Sequence, residues 1–197
     1  MQNRSIESDG SGRRDTSGGD GCPTTPQTER VPDIRRPRAA DAAGIWQLVE
    51  RTPSLDSNSP YAYLLLCTDF ASTGAVAELG GEIAGFVLGY RPPARPEACF
   101  VWQVGVGETA RGRGLAGALL DHVLSGLLAE GVRFLEATVT PSNGASWSLF
   151  RSFARRAGVA CREAPAFPST LFPDGDHEEE VLVRIGPLHP ESLRPRS

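Results

Sequence analysis

The chain of 197 residues contains no apolar run that approaches the roughly 20 residues of a membrane-spanning helix. The arginines near its start, Arg4, Arg13 and Arg14, are not followed by an apolar segment, so a signal peptide is not indicated. Positive charge is not in excess either, since the net charge is −4 and the pI about 5.4. The sequence therefore predicts neither a membrane nor nucleic acid as the main partner.

The chain has only four cysteines, and they are widely separated: Cys22, Cys67, Cys99 and Cys161. No two of them form a CxxC pair, so neither a metal site nor a disulfide framework is indicated. Two of them lie in apolar runs, where a free cysteine behaves as a small hydrophobe. This cysteine usage favours a reducing cytoplasm, with no metal expected.

Large apolar side chains are nearly missing from both ends of the chain. Residues 1–30 are rich in Ser, Gly, Asp, Arg and Thr and cannot bury enough surface to offset the entropy of ordering, so they are predicted to form a disordered N-terminal tail. Residues 187–197 carry three prolines and are predicted to form a flexible C-terminal tail. The folded unit is therefore expected to span 33–186, as one ordinary domain.

Hydrophobic periodicity and turn signals predict the order β-α-α-β-β-β-α-β-α-β-β within this unit. A short strand is expected at 34–36, followed by a helix that Asp41 caps. Ser59 and Pro60 mark the start of a second helix that ends near Phe70. Further strands are expected at 75–79, 82–90, 99–106, 132–140 and 181–185, and helices at 115–130 and 143–157. The fold class is α/β (α+β), a mixed central sheet flanked by about four helices.

The most informative segment is 111–116, Arg-Gly-Arg-Gly-Leu-Ala, which joins a predicted strand to a predicted helix. Unpaired backbone N–H groups at the positive end of a helix dipole bind a pyrophosphate well. Gly112, Gly114 and Gly117 match the dinucleotide fingerprint in spacing, but other strands precede the loop and Glu136 lies inside a strand rather than at its end. A P-loop is excluded because the segment has no lysine. A plain structural turn is the remaining alternative.

With Arg111, Gly114 and Ala116, this loop resembles the acetyl-CoA motif Gln/Arg-x-x-Gly-x-Gly/Ala of the GNAT superfamily of N-acetyltransferases. Asn143, followed by Leu149 and Phe150, resembles a second element of that family. The resemblance covers about 34–185 and implies the GNAT acyl-CoA N-acyltransferase fold. It implies that acetyl-CoA is bound by Val104, Val106, Arg111, Gly112, Arg113, Gly114, Leu115, Ala116 and Asn143.

Four longer stretches, at 45–49, 55–67, 85–93 and 100–104, resemble the L-2,4-diaminobutyrate acetyltransferases of ectoine biosynthesis. This resemblance implies acetyl transfer from acetyl-CoA to the 4-amino group of L-2,4-diaminobutyrate, which yields the N4-acetyl precursor of the osmoprotectant ectoine. It also implies a homodimer. Two alternatives stay open, namely an acetyltransferase for another small amine and a non-catalytic acyl-CoA-binding module.

The substrate carries two ammonium groups and a carboxylate, so its pocket needs anions, hydrogen-bond donors and aromatic walls. The residues expected to bind it are Asp56, Tyr61, Trp102, His177 and Glu179, of which Asp56, Trp102 and Glu179 are also expected to be catalytic. All of these except Tyr61 have a plainer alternative: a turn role for Asp56, core packing for Trp102, and a solvated face for the acidic run 177–180. Strand alternation predicts Trp102 on the same face as Val104 and Val106.

Because a primary ammonium has a pKa near 10.4, the amine must lose a proton before it attacks the thioester. The candidate bases are Asp56, His177, Glu179 and Glu136, and the sequence does not choose among them. A backbone N–H around Val104 is expected to stabilise the oxyanion.

Many GNAT enzymes protonate the leaving thiolate with a tyrosine, and Phe150 occupies that position here. The sequence leaves Ser146, Ser148 or no protein acid at all for this step.

Overall fold

The computed structural model describes residues 31–173 and 177–193, so the predicted N-terminal tail lies outside the described residues. The four helices are α1 (Ala42–Glu50), α2 (Pro60–Thr68), α3 (Leu115–Ala129) and α4 (Gly144–Ala157). The strands are β1 (Asp33–Arg35), β2 (Ala75–Leu79), β3 (Glu82–Tyr90), β4 (Ala98–Val106), β5 (Phe134–Val139), β6 (Cys161–Phe167) and β7 (Glu180–Ile185). Their order along the chain confirms the predicted α/β arrangement. None of the described helices is long and apolar enough to cross a membrane.

The strands form one mixed sheet in the order β1-β2-β3-β4-β5-β7-β6, in which only the central β4–β5 pair is parallel. That pair is short, because only residues 98–100 of β4 are in register with 134–136 of β5. Beyond this point the two strands no longer pair, although β4 continues for six more residues, to Val106. The sheet therefore has a gap at its centre, between the carboxyl ends of β4 and β5.

Helices cover the sheet on both faces. On one face, α3 and α4 bury residues such as Leu119, Leu124 and Phe153. On the other face, α1 and α2 bury Ile45 and Tyr63 against strand residues of β2 and β3. The sheet thus lies between two apolar clusters, which hold the two sides of the central gap in place.

The predicted helix starts are present, but Asp41 does not play the role predicted for it. Ser59 accepts a hydrogen bond from the Tyr61 backbone N–H at 3.3 Å, as an N-cap should. The Asp41 carboxylate instead accepts from Arg35 at 2.7 and 2.9 Å and from the Arg38 backbone N–H at 2.7 Å. The hydrogen bond from Arg35 lowers the pKa of Asp41. This stabilisation is present above the unfolded-state pKa and is lost as the pH falls through the lowered value.

A β-bulge in β4 changes the direction of Trp102. Leu88 pairs with Gln103 but the next residue, Gly89, pairs with Val101, so Trp102 is the extra residue. Trp102 therefore packs toward the α1–α2 cluster, whereas Val104 packs toward the α3–α4 cluster, as does Val106. The prediction that Trp102 shares a face with Val104 and Val106 is wrong, because the bulge shifts the alternation of side chains along the strand.

The folded unit extends beyond the predicted boundary at 186. Leu188 is fully buried in the α3–α4 cluster, and its N–H donates to the Arg133 carbonyl at 2.6 Å. A short 3₁₀ turn, Pro190–Leu193, follows and contacts α3 and α4. Residues 187–193 are thus packed on the domain rather than forming the predicted tail.

Candidate active site

Two adjoining cavities occupy the central gap of the sheet. The first, of about 280 Å³, lies beside Arg111 and Ala116 and is called the loop cavity. The second, of about 400 Å³, contains Asp56, His177 and Glu180 and is called the acidic cleft. Five residues line both: Ser54, Leu55, Val104, Asn143 and Ser146. A ligand that fills the loop cavity therefore has one end facing the acidic cleft.

The loop before α3 lies beside the loop cavity and has backbone N–H groups without hydrogen-bond partners among the described residues. Gly112 and Gly114 both have φ of +74°, and no atom lies within 4 Å of the position a Cβ would take at either. Gly114 is the N-cap of α3, and its carbonyl receives the first bond of the helix, from Ala118 at 3.1 Å. The N–H groups of residues 112–114 have no helical partner, and the helix dipole adds positive charge there. This is the geometry of an anion site.

The edge of β4 that faces the gap also has free backbone groups. Gly107 donates to Ala84 of β3 at 2.8 Å, so by alternation Val104 and Val106 direct their backbone groups away from β3. Consistently, the Val106 carbonyl accepts from the Arg111 side chain at 3.1 Å. The gap thus offers an extended ligand the hydrogen bonds of a missing neighbouring strand.

Glu180 lines the acidic cleft and carries a carboxylate oxygen without a hydrogen-bond partner in the part of the chain that the structure describes. Its side chain is only 17% exposed, and its Oε2 is buried without a hydrogen-bond partner among the described residues. The other oxygen, Oε1, lies 3.8 Å from His177 Nε2. A buried carboxylate oxygen without a partner costs free energy, so this position favours a cationic ligand.

His177 is oriented so that one ring nitrogen remains available in the cleft. Its Nδ1 lies 2.6 Å from the Glu178 carbonyl oxygen, and since a carbonyl only accepts, Nδ1 carries the proton. The ring is held by stacking on Phe172, with ring centroids 3.9 Å apart. In the neutral imidazole, Nε2 then has a free lone pair beside Glu180 and can accept a proton.

The opposite wall of the cleft is built around Trp102. Its ring meets Tyr63 edge-on, with centroids 5.7 Å apart. The Tyr63 hydroxyl donates to Gln103 at 3.0 Å, and Gln103 in turn donates to the Asp56 carbonyl at 2.8 Å. Burial raises the pKa of Tyr63, which keeps it a donor. This chain of contacts fixes the loop that carries the exposed Asp56 carboxylate at the cleft.

Comparison with known proteins identifies the family. The model of the acetyltransferase (GNAT) family matches residues 42–154. The L-2,4-diaminobutyric acid acetyltransferase of Streptomyces coelicolor is 48% identical over 79% of this chain and 92% of that protein. The enzyme of the same name from Halalkalibacterium halodurans is 45% identical over 80% of this chain and 82% of its own length. This chain belongs to the L-2,4-diaminobutyric acid acetyltransferase family of GNAT enzymes.

Solved structures agree with this assignment. The diaminobutyrate acetyltransferase EctA from Paenibacillus lautus, in complex with L-2,4-diaminobutyric acid and coenzyme A, superposes with a TM-score of 0.76 at 42% identity. It covers 80% of this chain and 95% of its own. The ribosomal-protein-S18-alanine N-acetyltransferase from Escherichia coli shares the fold, with a TM-score of 0.59 at 19% identity over 81% of this chain and 96% of its own.

The residues of this GNAT enzyme that are predicted to bind acetyl-CoA fall into two groups around the loop cavity. Five of them line it: Val104, Val106, Arg111, Ala116 and Asn143. Gly112, Arg113 and Gly114 form the exposed turn beside it. The Leu115 side chain is instead buried in the core, so this residue can contribute only its backbone.

Two residues that are predicted to bind the substrate of this GNAT enzyme do not line the cleft in the part of the chain that the structure describes. Tyr61 is 65% exposed, because it is two positions from the buried Tyr63 and so faces the opposite side of α2. Glu179 is exposed, because β7 begins at Glu180 and the alternation of side chains directs Glu179 to the other face.

The candidate base Glu136 is fully buried and paired with Arg95 at 3.0 Å and with Arg184, so it is not free to act as a base.

The two serines that are predicted as proton donors to the thiolate lie on different faces of α4. Ser146 lies where the two cavities meet, whereas Ser148 is exposed. Phe150 is buried and forms part of the cleft wall.

The sequence prediction missed several residues that line the cleft: Asn58, Thr138, Thr140, Phe172 and Glu180. Of these only Glu180 carried a signal, since it belongs to the acidic run that the prediction had singled out.

Proposed function

We propose that this protein transfers the acetyl group of acetyl-CoA to the 4-amino group of L-2,4-diaminobutyrate, giving the N4-acetyl product that cyclises to ectoine. The observation that carries the proposal is the buried, unpartnered oxygen of Glu180 in a cleft that adjoins an anion-binding loop. A cationic acceptor and a pyrophosphate-bearing donor suit these two places. The family to which the chain belongs uses both kinds of substrate in one reaction.

The donor would lie along the loop cavity. The N–H groups around Gly112 and Gly114 suit its pyrophosphate, because they are unpartnered and lie at the helix N-terminus. Val104 and Val106 suit the pantetheine arm, because their backbone groups face the gap. The thioester would then stand near Val104, which lines both cavities.

The acceptor would lie in the acidic cleft. Glu180 and Asp56 provide the negative charge that two ammonium groups require. The Trp102 ring forms part of the wall and offers an aromatic face to a cation. The acceptor amine thus approaches the thioester from the acidic cleft, at the junction with the loop cavity.

The proton must leave the amine before attack, because at pH 7 only about one primary amine in a few thousand is neutral. We assign the acceptor of that proton to His177 Nε2, directly or through one water, since the Glu178 carbonyl occupies the other ring nitrogen. Glu180, beside it, would stabilise the resulting imidazolium. Glu136 is ruled out by its two ion pairs.

The negative charges of the tetrahedral oxyanion and of the departing thiolate would develop near the junction of the two cavities. The free backbone N–H of Val104 is suited to stabilise the tetrahedral oxyanion. Two hydroxyls lie at the junction, those of Ser54 and Ser146, and we assign protonation of the departing thiolate to Ser146.

We expect purified protein to release CoA from acetyl-CoA faster with L-2,4-diaminobutyrate than with ornithine or lysine, whose side chains are longer. Thiol release is followed optically, and NMR of the product locates the acetyl group on the 4-nitrogen. Equal or greater rates with ornithine or lysine would contradict the substrate assignment. Saturable CoA binding without turnover on any amine would favour the non-catalytic alternative.

We further propose that the protein works in the cytoplasm, where acetyl-CoA is available, and that it forms a homodimer. Helix α2 is apolar on all sides, and the large side chains exposed on or just after it are Tyr61 (65%), Leu64 (42%) and Phe70 (42%). A helix of this kind is normally covered.

We expect the wild type to sediment at twice the chain mass and Leu64→Glu to sediment as a monomer, because a charge disfavours an apolar interface. Arg155→Glu, an exposed charge reversal on α4, is the control and should leave the mass unchanged. A wild-type monomer at micromolar concentration would contradict the proposal.

A further inference from the structure

The side chain of Glu178 joins two segments that are 36 residues apart in the chain. One carboxylate oxygen accepts from the Ser142 backbone N–H at 3.1 Å, and the other accepts from the Ser142 hydroxyl. Both donors of one residue are thus paired with one carboxylate, and such charge-assisted bonds are stronger than neutral ones. Neither residue lies in either cavity as the described residues form it.

On one side of this contact is the turn between β5 and α4. Ser142 lies next to Asn143, which lines both cavities and accepts from the Ser146 backbone N–H at 3.0 Å. The turn is also tied to α4, since the Trp147 indole donates to the Thr140 carbonyl at 3.1 Å. The turn is therefore a fixed platform at the donor side of the site.

On the other side is the segment 177–179, which precedes β7 and has no regular secondary structure. It carries His177, and Glu180 follows it immediately at the start of the strand. The Glu178 main chain also orients the His177 ring through the bond to Nδ1. Movement of Glu178 would therefore move the proposed proton acceptor.

We propose that Glu178 and Ser142 form a latch that holds His177 and Glu180 against the donor-side turn. In this proposal, which rests on the proposed function, Glu178 is a positioning residue and touches no substrate. The latch aligns the His177 imidazole with the end of the loop cavity where the thioester would stand. Because the latch is exposed and remote from the core, it contributes to alignment rather than to global stability.

Kinetics of Glu178→Ala, Ser142→Ala and the double variant test the latch, with Glu179→Ala as the matched control. Glu179 is the adjacent carboxylate, and it is exposed. We expect Glu178→Ala to lower kcat/KM for diaminobutyrate about tenfold, with KM for acetyl-CoA within about twofold and Tm within about 2 °C. Glu178→Gln should recover part of the loss, because its amide oxygen still accepts one bond.

The double variant should be no worse than Glu178→Ala alone, since both changes break the same contact. Hydrogen exchange should be faster at amides 177–179 in Glu178→Ala than in Glu179→Ala, and this readout does not depend on turnover. Equal kinetics and equal exchange for the two variants, or additive losses in the double variant, would overturn the latch. A failure of the proposed function would be seen separately, as absence of wild-type turnover on diaminobutyrate.

Discussion

Glu180→Gln is expected to lower kcat/KM for L-2,4-diaminobutyrate by about thirty- to a hundredfold. The glutamine keeps the shape of the side chain but removes its charge, and its NH₂ group would oppose an ammonium. The loss corresponds to about 2–3 kcal/mol, the range for a hydrogen bond to a charged group. Most of it should be seen in KM for diaminobutyrate, measured by CoA release at saturating acetyl-CoA.

The adjacent residue provides a control for this experiment. Glu179→Gln removes the same charge from an exposed position and should change kcat/KM by less than about twofold. Binding of CoA, measured by calorimetry, should be alike in both variants, because Glu180 lies in the acidic cleft and not in the loop cavity. If Glu179→Gln is the damaging change, the acceptor site has been assigned to the wrong face of the strand.

The local parts of the fold were predictable because their signals are local. Ser59 followed by Pro60 specifies a helix start, and the Gly80–Gly81 pair specifies the hairpin between β2 and β3. Strand β6 carried no such signal, since its sequence, Cys-Arg-Glu-Ala-Pro-Ala-Phe, is largely exposed and forms a strand only by pairing with β7 at the sheet edge. Its approximate place in the order was expected, but its residues were not.

Features that depend on contacts between distant segments could not be predicted. The bulge at Trp102 arises where Gly89 approaches β4 so closely that a Cβ there would collide with the Phe100 carbonyl. The packing of residues 187–193 depends on Leu188, whose N–H bonds to the Arg133 carbonyl. The partners are 11 residues apart in the first case and 55 in the second, and nothing in the local sequence indicates either contact.

The donor and acceptor halves of the site also differ in how far the sequence could predict them. The proposed donor loop is one continuous segment, so its glycines, its place between a strand and a helix and its resemblance to the GNAT motif were enough to predict it. The acceptor cleft is assembled from the α1–α2 loop, β4, β5 and β7, and which glutamate of the run 178–180 faces inward depends on where β7 begins. The prediction named Glu179 of this run, whereas in the structure Glu180 is the glutamate of the run that lines the cleft.

Gly114→Val is expected to raise KM for acetyl-CoA by about ten- to a hundredfold while kcat at saturating donor changes less. Gly114 has a φ of +74°, which L residues rarely adopt, and the space beside it is open, so a ligand has room to approach the backbone there. A valine would shift the loop N–H groups and occupy that space. The loss of one charge-assisted bond to phosphate, about 1.5–3 kcal/mol, gives the expected size.

Gly131→Val separates this effect from backbone strain, because Gly131 also has a positive φ (+89°) and open space beside it. It lies at the far end of the same helix, past Ala129, about 25 Å away at 1.5 Å per residue. Both variants should lose about 1–2 kcal/mol of stability from the left-handed backbone, measured by thermal unfolding. Only Gly114→Val should weaken binding of acetyl-CoA, since only this glycine adjoins the unpartnered N–H groups. A similar KM for acetyl-CoA in both variants would mean that the glycine serves the turn alone, and that the pyrophosphate is held elsewhere.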